Sequence, residues 1–339
     1  MNVRRALTPF RLAFAVLALL IVTFLLLWLV PSNTYIFLPD RAHPVDPLVD
    51  VQGGHRPHGG GIYFVDIFVR KASLIERLWP GLHEGAQLVP RSALLAPGVT
   101  DEQREIEDQR AMTRSQQVAA AVALRAAGYR VKANPTGALI EQVASDAPAA
   151  GKLLPSDIIV AAAGNPVRTT SDLRRIVGRQ RPGARIRLSV RRGSNLVQIN
   201  VRTIADPHRS GRSIIGVFVQ QSASIRLPLK VKIDAGNVGG PSAGLAFALD
   251  VLEQFGKDVD RGNRIAATGQ LELDGAVTAV GGIRQKTIGV RRSNIHVFLV
   301  PAGDNAAEAR RYADDVRIVP VQSFRQALRQ LATLTKSTA

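Results

Sequence analysis

From Leu12 to Val30 the chain runs LAFAVLALLIVTFLLLWLV without a single charged residue. About 19 residues at roughly 1.5 Å each nearly match a hydrocarbon layer about 30 Å thick, so the run predicts one transmembrane helix over 12–30. A cleaved leader is the competing reading. Its apolar region would be about 7–15 residues and would end in small side chains, whereas this run continues through Trp28, Leu29, Val30 and Pro31. Arg4, Arg5 and Arg11 precede the run and the next basic residue is Arg41. The positive-inside rule then leaves residues 1–11 in the cytoplasm and everything after Pro31 on the outer side of a cell membrane.

That topology decides how the composition is read. The 339 residues, 46% of them apolar, have room for roughly two or three domains with real cores. With no cysteine, disulfides, thiolate metal sites and a cysteine nucleophile are all excluded. Forty-four basic residues against 27 acidic ones give a formal charge of +17. In a cytoplasmic protein that balance would suggest nucleic acid, but outside the membrane this partner is scarce and none is expected. The charges are spread along the chain and read as solvated surface, with attraction to anionic headgroups or wall polymers as the functional alternative. No GxxxxGK followed by Ser or Thr occurs, so this chain encodes no P-loop ATPase.

Residues 31–127, an extracytoplasmic N-terminal region, carry the weakest pattern. The segment VQGGHRPHGGG (51–61) predicts a turn joining DPLVDV and IYFVDIFV in a hairpin. His55 and His58 lie in that Gly-rich loop without a third ligand and read as turn residues rather than a metal site. A helix is predicted from Asp101 to Ala127, stopped by Gly128. Over 128–206 short strands surround one short helix, SDLRRIV, with Ser171 as its predicted cap. Ile186, Leu188 and Val190 alternate with arginines and turn at Arg192–Asn195 into Val197, Ile199 and Val201, a half-buried hairpin. These residues, GALIEQVASDAPAAGKLLPSDIIVAAAGNPV followed by SDLRRIV, resemble a bacterial PDZ domain. The resemblance implies a groove between a strand and a helix that takes an extended peptide by β-augmentation. One departure is Ser156, where the family usually has Gly before the aspartate.

The chemistry lies in the last third, 209–339. Gly239-Gly240-Pro241-Ser242-Ala243-Gly244 leads into LAFALDVLEQF, whose Leu245, Ala246, Leu249 and Leu252 share one helical face. Ser242 at the mouth of that helix suits a nucleophile, because small neighbours admit a substrate backbone and the helix start can stabilise an oxyanion. The plainer reading is a helix cap. A second helix after Gly281-Gly282 places Ile283, Lys286, Thr287 and Val290 on one stripe, so Lys286 falls on an apolar face. A lysine desolvated there loses preference for its charged form and can take a proton from serine. The alternative is a stem lying along the surface with its ammonium in water.

GGPSAG, then TGQLELDGAVTAVGGIRQK, then VFLVPAGDN resemble the proteolytic domain of Lon proteases. The resemblance implies Ser242 as nucleophile, Lys286 as general base, 44 positions on, and Thr268 as the hydroxyl orienting the lysine amine. Gly239 stands where ATP-driven members usually have an acidic residue. With the anchor and the PDZ-like module, the chain resembles the membrane-bound PDZ-Lon-like serine peptidases of bacteria. The expected fold is α+β: an N-terminal transmembrane helix, a PDZ-like β-rich domain and a C-terminal Lon-protease-type domain. The implied function is ATP-independent cleavage of extracytoplasmic proteins or peptides, without a cofactor or a metal, by homo-oligomers that are often rings of six. Strand, turn and strand are expected at Leu271–Leu273, Asp274-Gly275 and Val277-Thr278, and a last helix capped by Ser323. His296, opening HVFLVP, reads as a turn residue rather than a catalytic base. Two rivals remain: a catalytically silent membrane adaptor that recruits tails through the PDZ-like region, and a phosphate cradle at GGPSAG.

Overall fold

In the computed structural model the described residues are 9–55, 59–95, 99–144, 146–207 and 210–335, so Arg4, Arg5 and His58 lie outside them. The first part runs α1 (Pro9–Leu29), β1 (Pro31–Pro44), β2 (Val49–Val51), β3 (Gly61–Ser73), α2 (Leu74–Leu78), β4 (Gln87–Pro90), α3 (Arg91–Leu94) and α4 (Asp101–Ala126). The middle part runs β5 (Lys132–Val143), β6 (Ile158–Ala162), β7 (Asn165–Pro166), α5 (Thr170–Gly178), β8 (Arg185–Arg192), β9 (Asn195–Arg202), β10 (Ile204–Ala205), β11 (Ser213–Ile214) and β12 (Val217–Arg226). The last part runs β13 (Val231–Ile233), α6 (Gly244–Gln254), β14 (Arg264–Ala267), β15 (Gln270–Leu271), β16 (Val277–Thr278), α7 (Ile283–Arg292), β17 (Val297–Pro301), α8 (Asp304–Arg310), β18 (Arg317–Val321) and α9 (Phe324–Leu331).

Residues 31–127 do not stand apart from 209–339. One six-stranded sheet has the order β18-β17-β14-β3-β1-β4, and β3 joins the two ends of the chain by pairing parallel to β14 from Gly61↔Arg264 to Phe64↔Ala267. The hairpin expected between DPLVDV and IYFVDIFV does not form. β3 pairs instead with β1, and β2 pairs with β13. The reason lies in β3 itself, which is apolar on both faces. Ile62 and Phe64 enter the core around α4, α6 and α9, while Tyr63 and Val65 enter the core beneath α7 and α8. A strand buried on both faces belongs in the middle of a sheet with helices on either side.

The helices fit this layering. Thr100 and Gln103 form a capping box at the start of α4, and its run Ala119–Ala123 lets it approach α6 closely. Every residue of α6 is buried as a result. On the other face α7 lies so near β1 that a Cβ on Gly289 would overlap the carbonyl oxygen of Asp40.

The middle part forms its own sheet, β12-β5-β6-β8-β9, antiparallel throughout, around a separate core that includes Ile140, Ile159, Leu188 and Val201. Two local expectations shift here. Helix α5 is capped by Thr169, not Ser171, because the Thr169 hydroxyl accepts from the Asp172 N–H while the Asp172 carboxylate accepts from the Thr169 N–H. Strand β12 lies beyond residue 206 yet pairs with β5 from Val217↔Val143 to Arg226↔Lys132. The sheet is thus completed by residues that the sequence pattern assigns to the following domain. Ser156 adopts φ +68°, the left-handed backbone that the glycine usual at this position would adopt freely.

Replacing Gly289 with Ala should destabilise the protein by about 1–3 kcal/mol, since neither backbone can yield without separating α7 from β1. Thermal unfolding of the variant beside wild type measures this.

Candidate active site

The loop Gly239–Ala243 delivers Ser242 to the entrance of α6, and α4 braces that loop. The Gly240 N–H donates to the Asp108 carbonyl at 2.9 Å, and the Ser115 hydroxyl donates to the Pro241 carbonyl at 3.0 Å. Gly239 has a steric reason: a Cβ there would stand 2.9 Å from the Cβ of Asp108. The cap of α6 is Ala243, with no side-chain hydrogen bond, so Ser242 does not serve as the helix cap.

Its hydroxyl faces Lys286 instead. Lys286 lies in the first turn of α7, is only 2% exposed, and places Nζ 2.6 Å from Ser242 Oγ and 3.1 Å from Thr268 Oγ1. Thr268 is fully buried just past β14, where its N–H donates to the Leu299 carbonyl at 2.9 Å. Its hydroxyl donates to the Ser242 carbonyl at 3.2 Å, and the Gly269 N–H donates to the same carbonyl at 2.8 Å. The three side chains expected to act together, Ser242, Lys286 and Thr268, therefore meet at one point. Burial lowers the Lys286 amine to about 8, against a smaller opposing pull from Asp66. An amine with that affinity, within hydrogen-bond reach of a hydroxyl, can accept the hydroxyl proton near neutral pH.

His296 is not brought to this site. It sits 70% exposed at the opposite end of β17, where its Nδ1 lies 3.3 Å from Asp315. This carboxylate partner went unrecognised in the sequence, but both groups face solvent. His55 is exposed as well.

Sequence reasoning missed the groups behind the lysine. A bulge in β1 between Pro39 and Ala42 breaks its register opposite Asp66 of β3, and Asp40, His43 and Asp66 bring one ligand atom each within 4.8 Å of one another. Among the described residues this trio is the group with the spacing to hold a divalent cation. Burial and the neighbouring Asp40 raise the Asp66 carboxyl, while His43 and Lys286 oppose the rise. The signal available beforehand was an aspartate within the apolar run IYFVDIFV.

Residues 125–203 match a PDZ domain, and residues 218–333 match the Lon protease (S16) C-terminal proteolytic domain. The chain joins a PDZ domain to a Lon-type proteolytic domain. Among curated relatives, the Lon protease of Mesomycoplasma hyopneumoniae is 27% identical over 161 residues, which is 40% of this chain and 18% of that protein. Lon protease 1 of Sorangium cellulosum is 31% identical over 118 residues, 32% of this chain and 14% of the relative. The Lon protease of Clostridioides difficile is 44% identical over 62 residues, 18% of this chain and 8% of the relative. The chain thus spans less than a fifth of the length of these relatives. Among solved structures, the PDZ domain of an SdrC-like protein from Listeria monocytogenes is 22% identical, covering 26% of this chain and 92% of that one, with a TM-score of 0.24.

A buried lysine carries a stability cost when it is charged. Its folded pKa of about 8 lies below the unfolded 10.5, so the unfolded chain binds more protons in that window and wild-type stability rises with pH through it. Below about 8 the cost is on the order of 3 kcal/mol. Lys286→Met should therefore melt at a higher temperature than wild type near neutral pH, and the gap should narrow by about pH 10. Paired melting curves at the two pH values check both points.

Proposed function

We propose that this chain is a membrane-anchored serine endopeptidase that works without ATP and cleaves proteins on the outer side of the membrane. The observation carrying the reading is the contact between a buried, largely desolvated Lys286 amine and the Ser242 hydroxyl at 2.6 Å. In its neutral form the amine accepts the proton of Ser242 as Oγ attacks the carbonyl carbon of a peptide bond. The resulting ammonium then protonates the leaving amine as the C–N bond breaks, leaving an acyl ester on Ser242. Lys286, neutral again, takes a proton from the water that hydrolyses the ester and returns it to Ser242. Thr268 is the positioning residue: its hydroxyl accepts from Nζ, donates to the Ser242 carbonyl and so fixes the amine relative to the nucleophile.

Residues 12–30 are the anchor in this reading, with 1–11 in the cytoplasm. Support comes from the helix Arg11–Leu29, uncharged after Arg11 and with none of its residues buried in the protein. The PDZ domain recruits extended chain segments or tails by adding them to its sheet, whose outer strands are β12 and β9.

Digestion of an unfolded protein such as casein by the full chain in detergent tests the reading. Ser242→Ala and Lys286→Ala should each lower kcat/KM by about 10³-fold or more; undiminished digestion by both would remove it. For wild type, kcat/KM should climb about tenfold per pH unit on the acid side and level off above about 8, following the neutral fraction of Lys286. Asp66→Asn, which removes the charge holding that amine up, should move the rise to lower pH.

A further inference from the structure

The anchor leaves no slack between bilayer and protein. Helix α1 continues to Val30, whose N–H donates to the Leu26 carbonyl at 3.0 Å, and β1 starts at the next residue. Pro31 pairs with Ser73, and the Leu74 N–H donates to the Val30 carbonyl at 3.1 Å. Helix α2 therefore begins level with the point where α1 ends, and the two helices are in contact. A span matched to the hydrocarbon core places that level in the headgroup layer.

The segment from α2 through the turn Pro80–Leu82 is polar on its inner side and apolar on its outer side. Inside, Glu76 is 1% exposed and accepts from Arg70 at 2.6 and 2.9 Å, from the Ser73 N–H at 2.9 Å and from Ser73 Oγ at 3.0 Å, while His83 lies 2.8 Å away. These bonds hold the Glu76 carboxyl far below the usual carboxylate range, with the Arg70 contact as the largest cause. The backbone closes over them, with the Trp79 N–H donating to Ile75 and the Leu82 N–H to Trp79. Outside, Leu78 and Trp79 are each 69% exposed and Leu82 is 47% exposed, with Arg77 exposed beside them. A pinned turn that presents tryptophan and leucine beside a basic side chain has the chemistry of an interfacial membrane contact.

We propose that Leu78, Trp79 and Leu82 insert into the headgroup layer of the leaflet from which α1 emerges, forming a second membrane contact that sets the orientation of the proteolytic domain. Continuity with the end of the span selects the lipid surface over a protein partner. The proposal rests on the membrane-anchor reading, and its test separates the two. The sequence has two tryptophans, Trp28 and Trp79, so Trp28→Phe leaves Trp79 as the sole indole reporter.

The full-length variant is reconstituted into phosphatidylcholine and phosphatidylglycerol vesicles and floated on a density gradient. Trp79 emission is then compared in lipids brominated near the headgroup and near the acyl-chain end, with acrylamide as the aqueous quencher. The expected result is flotation, with Trp79 losing most of its intensity to the shallow bromines, little to the deep ones and little to acrylamide. Adding Leu78→Ser and Leu82→Ser should restore the emission without changing flotation. Flotation with full acrylamide quenching and no bromine quenching overturns the docking and leaves the anchor standing. Shielding from both quenchers overturns it in favour of a protein partner such as a second copy. Failure to float removes the anchor reading and the docking together.

Discussion

A single amine taken out of water shapes the rest of this molecule. Lys286 is held in a closely packed space that disfavours its charge. Helix α7 reaches it by lying against β1 with Gly289 touching the Asp40 backbone. Thr268 reaches it because β14 ends one residue earlier, and Ser242 because α4 ties down the loop on which it sits. Each of these elements is set by a different neighbour: β1 for α7, the flanking strands β3 and β17 for β14, and α4 for the serine loop. The environment of the amine is thus a property of both halves of the sheet and of the helices on each face.

This dependence explains why the N-terminal strands matter to a site whose three principal side chains all lie after residue 240. β3 stands between β1 and β14, so removing it would part the sheet beside the lysine. It also carries Asp66, the nearby charge that opposes the effect of burial on Lys286. Burial and the carboxylate pull the amine in opposite directions. The balance lies near 8, where a base is both sufficiently available and sufficiently basic.

What the sequence made legible was local. The placement of Lys286 on an apolar stripe, the Ser323 cap of the last helix with its buried Phe324, Ala327 and Leu331, and the hairpin of β8 and β9 all follow from short-range periodicity. Pairing between distant strands was not legible, because a parallel partner such as β14 for β3 leaves no turn between them to read. The glycines around 53–60 therefore read as a hairpin turn, although β3, apolar on both faces, asks for two neighbours. Thr169 and Ser171 are equally good caps by composition. Only the reciprocal bond with Asp172, three residues after Thr169, separates them.

Strand β12 crosses the boundary between the two matched domains. By hydrogen bonding it belongs to the PDZ sheet, yet from residue 218 it falls within the match to the proteolytic domain. Its end turns into the proteolytic core, where Ile225 and, just past the strand, Leu227 pack with the cluster around α6. The chain then makes β13, held to β2, and enters the loop that carries Ser242. A second link runs through side chains: Gln270 donates to Glu141 of β5 at 2.5 Å and to Glu272 at 2.9 Å. Gln270 follows Gly269, whose N–H holds the Ser242 carbonyl. Slipping β12 by one position against β5 would exchange the faces of every side chain along it, so the register of the PDZ sheet decides whether Ile225 reaches the proteolytic core.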